Sequence, residues 1–111
     1  MMNIQIFGSS KSFDTKKAER YFKERNIKYQ YIDMRRYGIS RGELQSVKNA
    51  VGLDNLIDEK CEDSVILKYL KGDEEILLKL YENQDWIKLP LVRNGKAATV
   101  GYEPEIWKNW K

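Results

Sequence analysis

Ser12 is the residue on which chemistry in this chain would turn. It follows a short apolar segment, Ile4-Gln5-Ile6-Phe7, and a break at Gly8-Ser9-Ser10. Beyond it, Ala18, Tyr21, Phe22 and Arg25 fall at i, i+3, i+4 and i+7, the spacing of one helix face. Ser12 and Asp14 are N-cap residue types just ahead of that stripe. The loop therefore delivers Ser12 to the positive end of a helix, where unpaired backbone N–H groups and the helix dipole favour negative charge. Lys11 and Lys16 stand close in sequence, so Lys11, Ser12 and Lys16 are suitable parts for an anion site. Asp14 opposes it. Its carboxylate sits in the first turn, can take the same donors, and repels a second anion.

Two readings of Ser12 follow, a nucleophile or a capping serine. A serine hydroxyl needs an adjacent base or a metal to attack near neutral pH. The chain has no histidine, which removes the commonest general base and the commonest metal ligand. Lys11 is the nearest base, and nothing in the sequence desolvates it. The single cysteine, Cys61, follows Lys60, whose ammonium favours a thiolate. Glu59, Glu62 and Asp63 push the other way, so Cys61 reads either as a redox thiol or as an ordinary one. One cysteine without histidine leaves no zinc or Cys–His site.

Composition bounds the rest. A chain of 111 residues is expected to be one domain, 1–111, large enough for one core. Hydrophobic content of 41% and charged content of 33% describe a soluble globular protein. The longest apolar runs fall far short of the roughly 18 residues that a membrane span needs, and no signal peptide is expected. A lone cysteine fits a reducing cytoplasm. The net charge of +3 comes from 20 basic and 17 acidic residues with the signs interspersed, which argues against nucleic acid as a partner. Arg35-Arg36 reads as a solvated basic loop, and the tryptophans and tyrosines read as core and rim aromatics.

The elements that must position Ser12 are legible in order. Ile4–Phe7 alternates as a strand, and Tyr29–Asp33 is a second, aromatic-rich one. With the helix between them they predict a parallel β-α-β unit. Ser40-Arg41-Gly42-Glu43 has capping-box spacing ahead of Leu44, Val47 and Val51, with Gly52 as the stop. Leu53, Leu56 and Ile57 suggest a short helical turn. Asp63 or Ser64 is expected to cap a helix carrying Val65, Ile66, Tyr69 and Leu70, stopped by Gly72, and Asp73 a helix carrying Ile76, Leu77, Leu80 and Tyr81. Residues 40–82 thus form a helical block. Leu89–Arg93 predicts a strand starting at Pro90, Asn94-Gly95 a tight hairpin, and Lys96–Val100 the returning strand. Pro104 opens a last helix with Ile106, Trp107 and Trp110 on one face.

Four stretches in this order resemble the ArsC/Spx family, small thioredoxin-fold proteins that include glutathione-coupled arsenate reductases and the transcription regulator Spx. Family members read roughly strand-x-x-x-C-x-x-C-R-K-A-x-x-(W/F)-L. The same register here gives Ser12-Phe13-Asp14-Thr15-Lys16-Lys17-Ala18-Glu19-Arg20-Tyr21-Phe22. Gly52-Leu53-Asp54-Asn55-Leu56-Ile57, Leu89-Pro90-Leu91-Val92 and Val100-Gly101-Tyr102 resemble the family's later motifs. The resemblance covers nearly the whole chain. It implies an α/β thioredoxin-like fold with a four-stranded mixed sheet, the order β-α-β, helical insertion, β-hairpin, α, and a cis peptide before Pro90.

For function, the resemblance places Ser12 where the attacking cysteine stands and Thr15 at its partner position. Of the three oxyanion-holding arginines, Lys60 takes the first place and Leu89 the second. The third has no clear counterpart, Arg93 and Lys96 being only neighbours. Lysine loses the bidentate geometry of arginine, and leucine offers no donor. Serine cannot pass through disulfide chemistry. The expectation is a family member that works by binding, with the RNA polymerase α subunit as the implied partner and Gly52 in the contact surface. The alternative is a reductase using Cys61 or a bound thiol, with glutathione as cosubstrate. No other cofactor and no metal is expected.

Overall fold

The computed structural model describes residues 3–110. Strand β1 (Ile4–Gly8) leads into helix α1 (Phe13–Glu24) and strand β2 (Tyr29–Asp33). Helices α2 (Arg41–Val51) and α3 (Asp73–Glu82) follow, with 3₁₀ stretches at Asp54–Leu56, Glu62–Tyr69 and Gln84–Trp86. The hairpin β3 (Leu91–Asn94) and β4 (Ala97–Val100) and the short helix α4 (Pro104–Trp107) complete the order. The sheet runs β2-β1-β3-β4; β1 pairs parallel with β2 and antiparallel with β3.

Alternation along the strands sends side chains to two cores. Ile4, Ile6 and Val92 meet Ala18, Tyr21, Phe22 and Trp107 on the α1/α4 face. Phe7 and Leu91 meet Leu44, Val47, Leu56 and Leu80 on the α2/α3 face. Helix α4 is only a turn long, but Trp107 is buried and its Nε1–H donates to Thr99 Oγ1 at 2.7 Å, which fastens it to β4. On the other face, Arg93 Nη1 donates to Gln5 Oε1 at 2.8 Å and lies 3.5 Å from Glu43, tying α2 to the sheet.

Tyr29 Oη–H donates to Glu19 at 3.1 Å. Burial, then the hydrogen bond and charge of Glu19, hold the phenol up at about 12. Because the folded pKa is raised, this contribution to stability is full below the unfolded value of about 10 and is lost as pH rises toward 12. Burial, then the charges of Asp33 and Glu19, raise Tyr31 as well. Absorbance titration of the phenolates is expected to find Tyr29 titrating late, brought partway down in Glu19→Gln.

Several expectations need correction. The hairpin loop is Gly95-Lys96, because Asn94 still pairs with Ala97. Gly95 has φ +62°, the left-handed geometry that such a turn requires. Gly72, not Asp73, is the N-cap of α3; Asp73 lies in its first turn. Ile106 is largely exposed while Trp107 carries the burial of α4.

The largest difference is at Glu62–Tyr69, which is 3₁₀ rather than α. With 3.0 residues per turn, every third residue aligns. The inward row is Ser64, Leu67 and Leu70, so Val65, Ile66 and Tyr69 point outward, Tyr69 at 82% exposure. Ser64 does not cap it; its hydroxyl donates to the carbonyls of Asp58 and Cys61. The side chain of Asp63 lies outside the described residues.

Candidate functional site

The loop between β1 and α1 closes on itself. Ser12 N–H donates to Ser9 O at 3.0 Å, and Lys11 N–H to Ser9 Oγ at 3.2 Å. Ser12 is the N-cap of α1, with extended backbone, and its Oγ accepts the Thr15 N–H at 3.2 Å. Thr15 is buried, and its Oγ1 accepts the Ser9 N–H at 3.4 Å. Gly8 lies against it: a Cβ there would run into the Thr15 side chain. Thr15 is thus a packing and loop-closing residue whose hydroxyl is turned to the backbone of Ser9.

Ser12 opens on a cavity of about 530 Å³. Lys11 and Asp14 line it beside Ser12, Met34 and Arg35 line it from the end of β2, and Asp58 and Lys60 from the insertion. Gln84, Asp85, Lys88 and Leu89 close the remaining side. The Leu89–Pro90 peptide is cis, and Pro90 is fully buried. Four cationic side chains, Lys11, Arg35, Lys60 and Lys88, therefore share the wall with three carboxylates, Asp14, Asp58 and Asp85. Such a wall suits an anion that also carries donor groups better than a bare multivalent oxyanion.

Two devices hold the wall, one of main chain and one of a side-chain amide. Ile57 and Ile87 form an antiparallel bridge, flanked by Asp58 N–H to Trp86 O at 2.8 Å and Lys88 N–H to Leu56 O at 2.7 Å. This brings Lys60 and Lys88, far apart in sequence, to one edge. The Gln84 amide forms the second device. It accepts the Ile39 N–H and donates to the Ile39 C=O, both at 2.9 Å, pinning the loop that carries Arg35. Gln84→Ala leaves both backbone groups unpaired, at a cost of about 1–3 kcal/mol. Urea unfolding is expected to show that loss with an unchanged m-value.

The other sequence candidates fall elsewhere. Lys16 does not line the cavity; its ammonium sits 5.8 Å from the Phe13 ring centre. Cys61 is half-buried and faces a separate depression with Ile57, Leu67 and Leu70. Arg93 is spent on Gln5 and Glu43, and Lys96 is exposed in the hairpin loop. Gly52 is exposed at the C-cap of α2 with φ +87°, and a Cβ there would meet only Asn55 Nδ2 at 3.9 Å. Its backbone angle, not crowding, calls for glycine. Arg35, Lys88 and Gln84 were not foreseen. Lys88 stands two places before Pro90 and could have been found from that spacing; the roles of Arg35 and Gln84 depend on long-range contacts that leave no local mark.

Solved structures share this architecture. An ArsC family related protein from Bacteroides fragilis superposes with a TM-score of 0.84 at 23% identity, covering 99% of this chain and 98% of that one. The fold is that of the ArsC-like thioredoxin-type proteins. Arsenate reductase from Vibrio cholerae superposes with a TM-score of 0.81 at 21% identity, covering 95% and 94% of the two chains. Among curated proteins, the global transcriptional regulator Spx 2 of Oceanobacillus iheyensis is 26% identical over 131 residues, spanning 99% of this chain and 94% of its own. No protein-family model matches the chain. Among the described residues, no helix is long and apolar enough to cross a membrane. No cluster there of His, Cys, Asp and Glu could hold a metal ion.

Proposed function

We propose that this chain is an ArsC/Spx-type binding protein that works in the cytoplasm without a reactive thiol at α1. The observation that carries this reading is the state of Ser12. It occupies the helix N-cap that borders the cavity, and its oxygen is engaged by the Thr15 N–H. The chain has no histidine to activate it, and the one cysteine faces another depression. Serine supports neither thiolate attack nor a mixed disulfide. Similarity to a transcription regulator along almost the full length supports a regulatory role through a protein partner. The RNA polymerase α subunit is the partner that the resemblance implies, with Gly52 exposed and open to contact.

The test is titration of the purified C-terminal domain of the α subunit by calorimetry, beside an arsenate-reduction assay supplied with glutathione and glutaredoxin. Saturable binding without turnover is expected. A flat titration would discard that partner.

A second reading is favoured by the four cations of the cavity wall. With the carboxylates between them they suit glutathione, an anion that carries its own donor groups, in a reductase whose thiol is the bound cosubstrate or Cys61. Turnover in the assay would overturn the first reading. Its loss in Cys61→Ser would assign the step to Cys61, and its survival would assign it to glutathione.

A further inference from the structure

The depression containing Cys61 differs in kind from the Ser12 cavity. Its volume is about 620 Å³, and its apolar lining comes from Ile57, Val65, Leu67, Leu70 and Ile76. Three carboxylates, Asp54, Glu59 and Glu62, line it against one ammonium, Lys68. The chain as a whole is basic, at +3, so this is a local reversal of sign. Apolar surface continues beyond it. Ile66 and Tyr69 are one 3₁₀ turn apart and therefore eclipse each other, and both are exposed, as is Val65 on the neighbouring row. An apolar surface adjoining a mainly acidic rim is the mark of an interaction site rather than of ordinary solvated surface.

We propose that this depression docks a basic amphipathic segment of a partner protein. Its apolar side chains enter the floor made by Ile57, Leu67 and Ile76 and rest on Ile66 and Tyr69, and its lysines or arginines face Asp54, Glu59 and Glu62. Charge complementarity selects this occupant: an acidic segment would meet three carboxylates, and an uncharged one would leave them unpaired. The segment is helical or extended enough to alternate apolar and basic positions, as in other groove-bound segments. The proposal does not rest on the fate of the thiol at α1 or on the polymerase contact.

The probe is a synthetic amphipathic peptide of leucine and lysine at helical spacing, with its leucine–glutamate counterpart as control. Amide shifts of the ¹⁵N-labelled chain are followed in parallel with Cys61 alkylation by iodoacetamide, since Cys61 lies inside the depression. The lysine peptide is expected to shift residues 57–70 saturably and to slow Cys61 alkylation, with affinity falling as salt rises. The charge reversal Glu59→Lys with Glu62→Lys is expected to weaken it about tenfold. Ile66→Ser with Tyr69→Ser, both at the surface, is expected to weaken it similarly while leaving the salt dependence. Equal binding of the glutamate peptide would overturn the proposal, as would shifts confined to the Ser12 cavity. Shifts of residues 57–70 on concentrating the chain alone would replace the partner by a second copy and overturn it too.

Discussion

A Ser12→Cys variant, made on a Cys61→Ser background, is expected to carry a thiol that titrates at least about one unit below the ordinary 8.5. The donors are in place. Thr15 N–H already points at the position of the side-chain oxygen at 3.2 Å, and the first turn of α1 adds its unpaired N–H groups. Lys11 and Lys60 line the same cavity. Asp14, in the first turn of α1, works against the thiolate. Adding Asp14→Asn should therefore lower the pKa further. The readout is the pH dependence of iodoacetamide alkylation. A midpoint at 8.5 or above would mean that the loop no longer holds an anion, and the cavity would then be read as a neutral-ligand site. A low midpoint would show that the electrostatics of thiol chemistry persist with only the sulfur exchanged.

The second large effect is expected at Gly8. Its neighbour Thr15 is buried and its Oγ1 accepts the Ser9 N–H, so turning its side chain away breaks that hydrogen bond. A methyl added at Gly8 meets the Thr15 Cγ2 and Oγ1 atoms directly. Gly8→Ala is expected to cost about 1–3 kcal/mol by overpacking. For a chain of this size each kcal/mol lowers Tm by roughly 4 °C. Thr15→Ala relieves the clash at the expense of the Ser9 hydrogen bond. The double variant should therefore be more stable than the sum of the singles predicts, a coupling that a double-mutant cycle measures. Additive losses would mean that Gly8 matters for its backbone alone.

The path of the chain was largely readable because its signals are local. The capping box at Ser40 and Glu43 forms with both reciprocal hydrogen bonds. The βαβ unit, the hairpin and Pro104 at the head of α4 follow from spacing and turn chemistry. What failed was period. Val65, Ile66, Tyr69 and Leu70 fit the buried stripe of an α-helix, yet the segment winds at three residues per turn and hides Ser64 and Leu67 instead. Nothing in the residues announces a 3₁₀ period, since it is set by how the segment meets α3 and the loop after Ile57. The cavity was half legible. Lys11, Ser12, Lys60 and Leu89 do line it, but Lys16 and Cys61 do not. Sequence proximity put Lys16 near Ser12; the helix carried it toward Phe13. Lys88 joined through main-chain bonds across the fold, and Arg35 through a loop pinned by the Gln84 side-chain amide.

Those main-chain bonds carry a consequence for how such a protein changes over time. The bridge between Ile57 and Ile87 uses N–H and C=O groups, which every residue but proline supplies alike. The charged side chains of Arg35, Lys60 and Lys88 along the cavity are carried by this bridge and the loops beside it without forming any of its bonds, whereas the Ser12 hydroxyl is part of the cap of α1. Exchange at positions 35, 60 or 88 alters what the cavity accepts while the bridge stands. What the cavity selects and what holds its edge together thus reside in different atoms, so selectivity and the bridge can change independently.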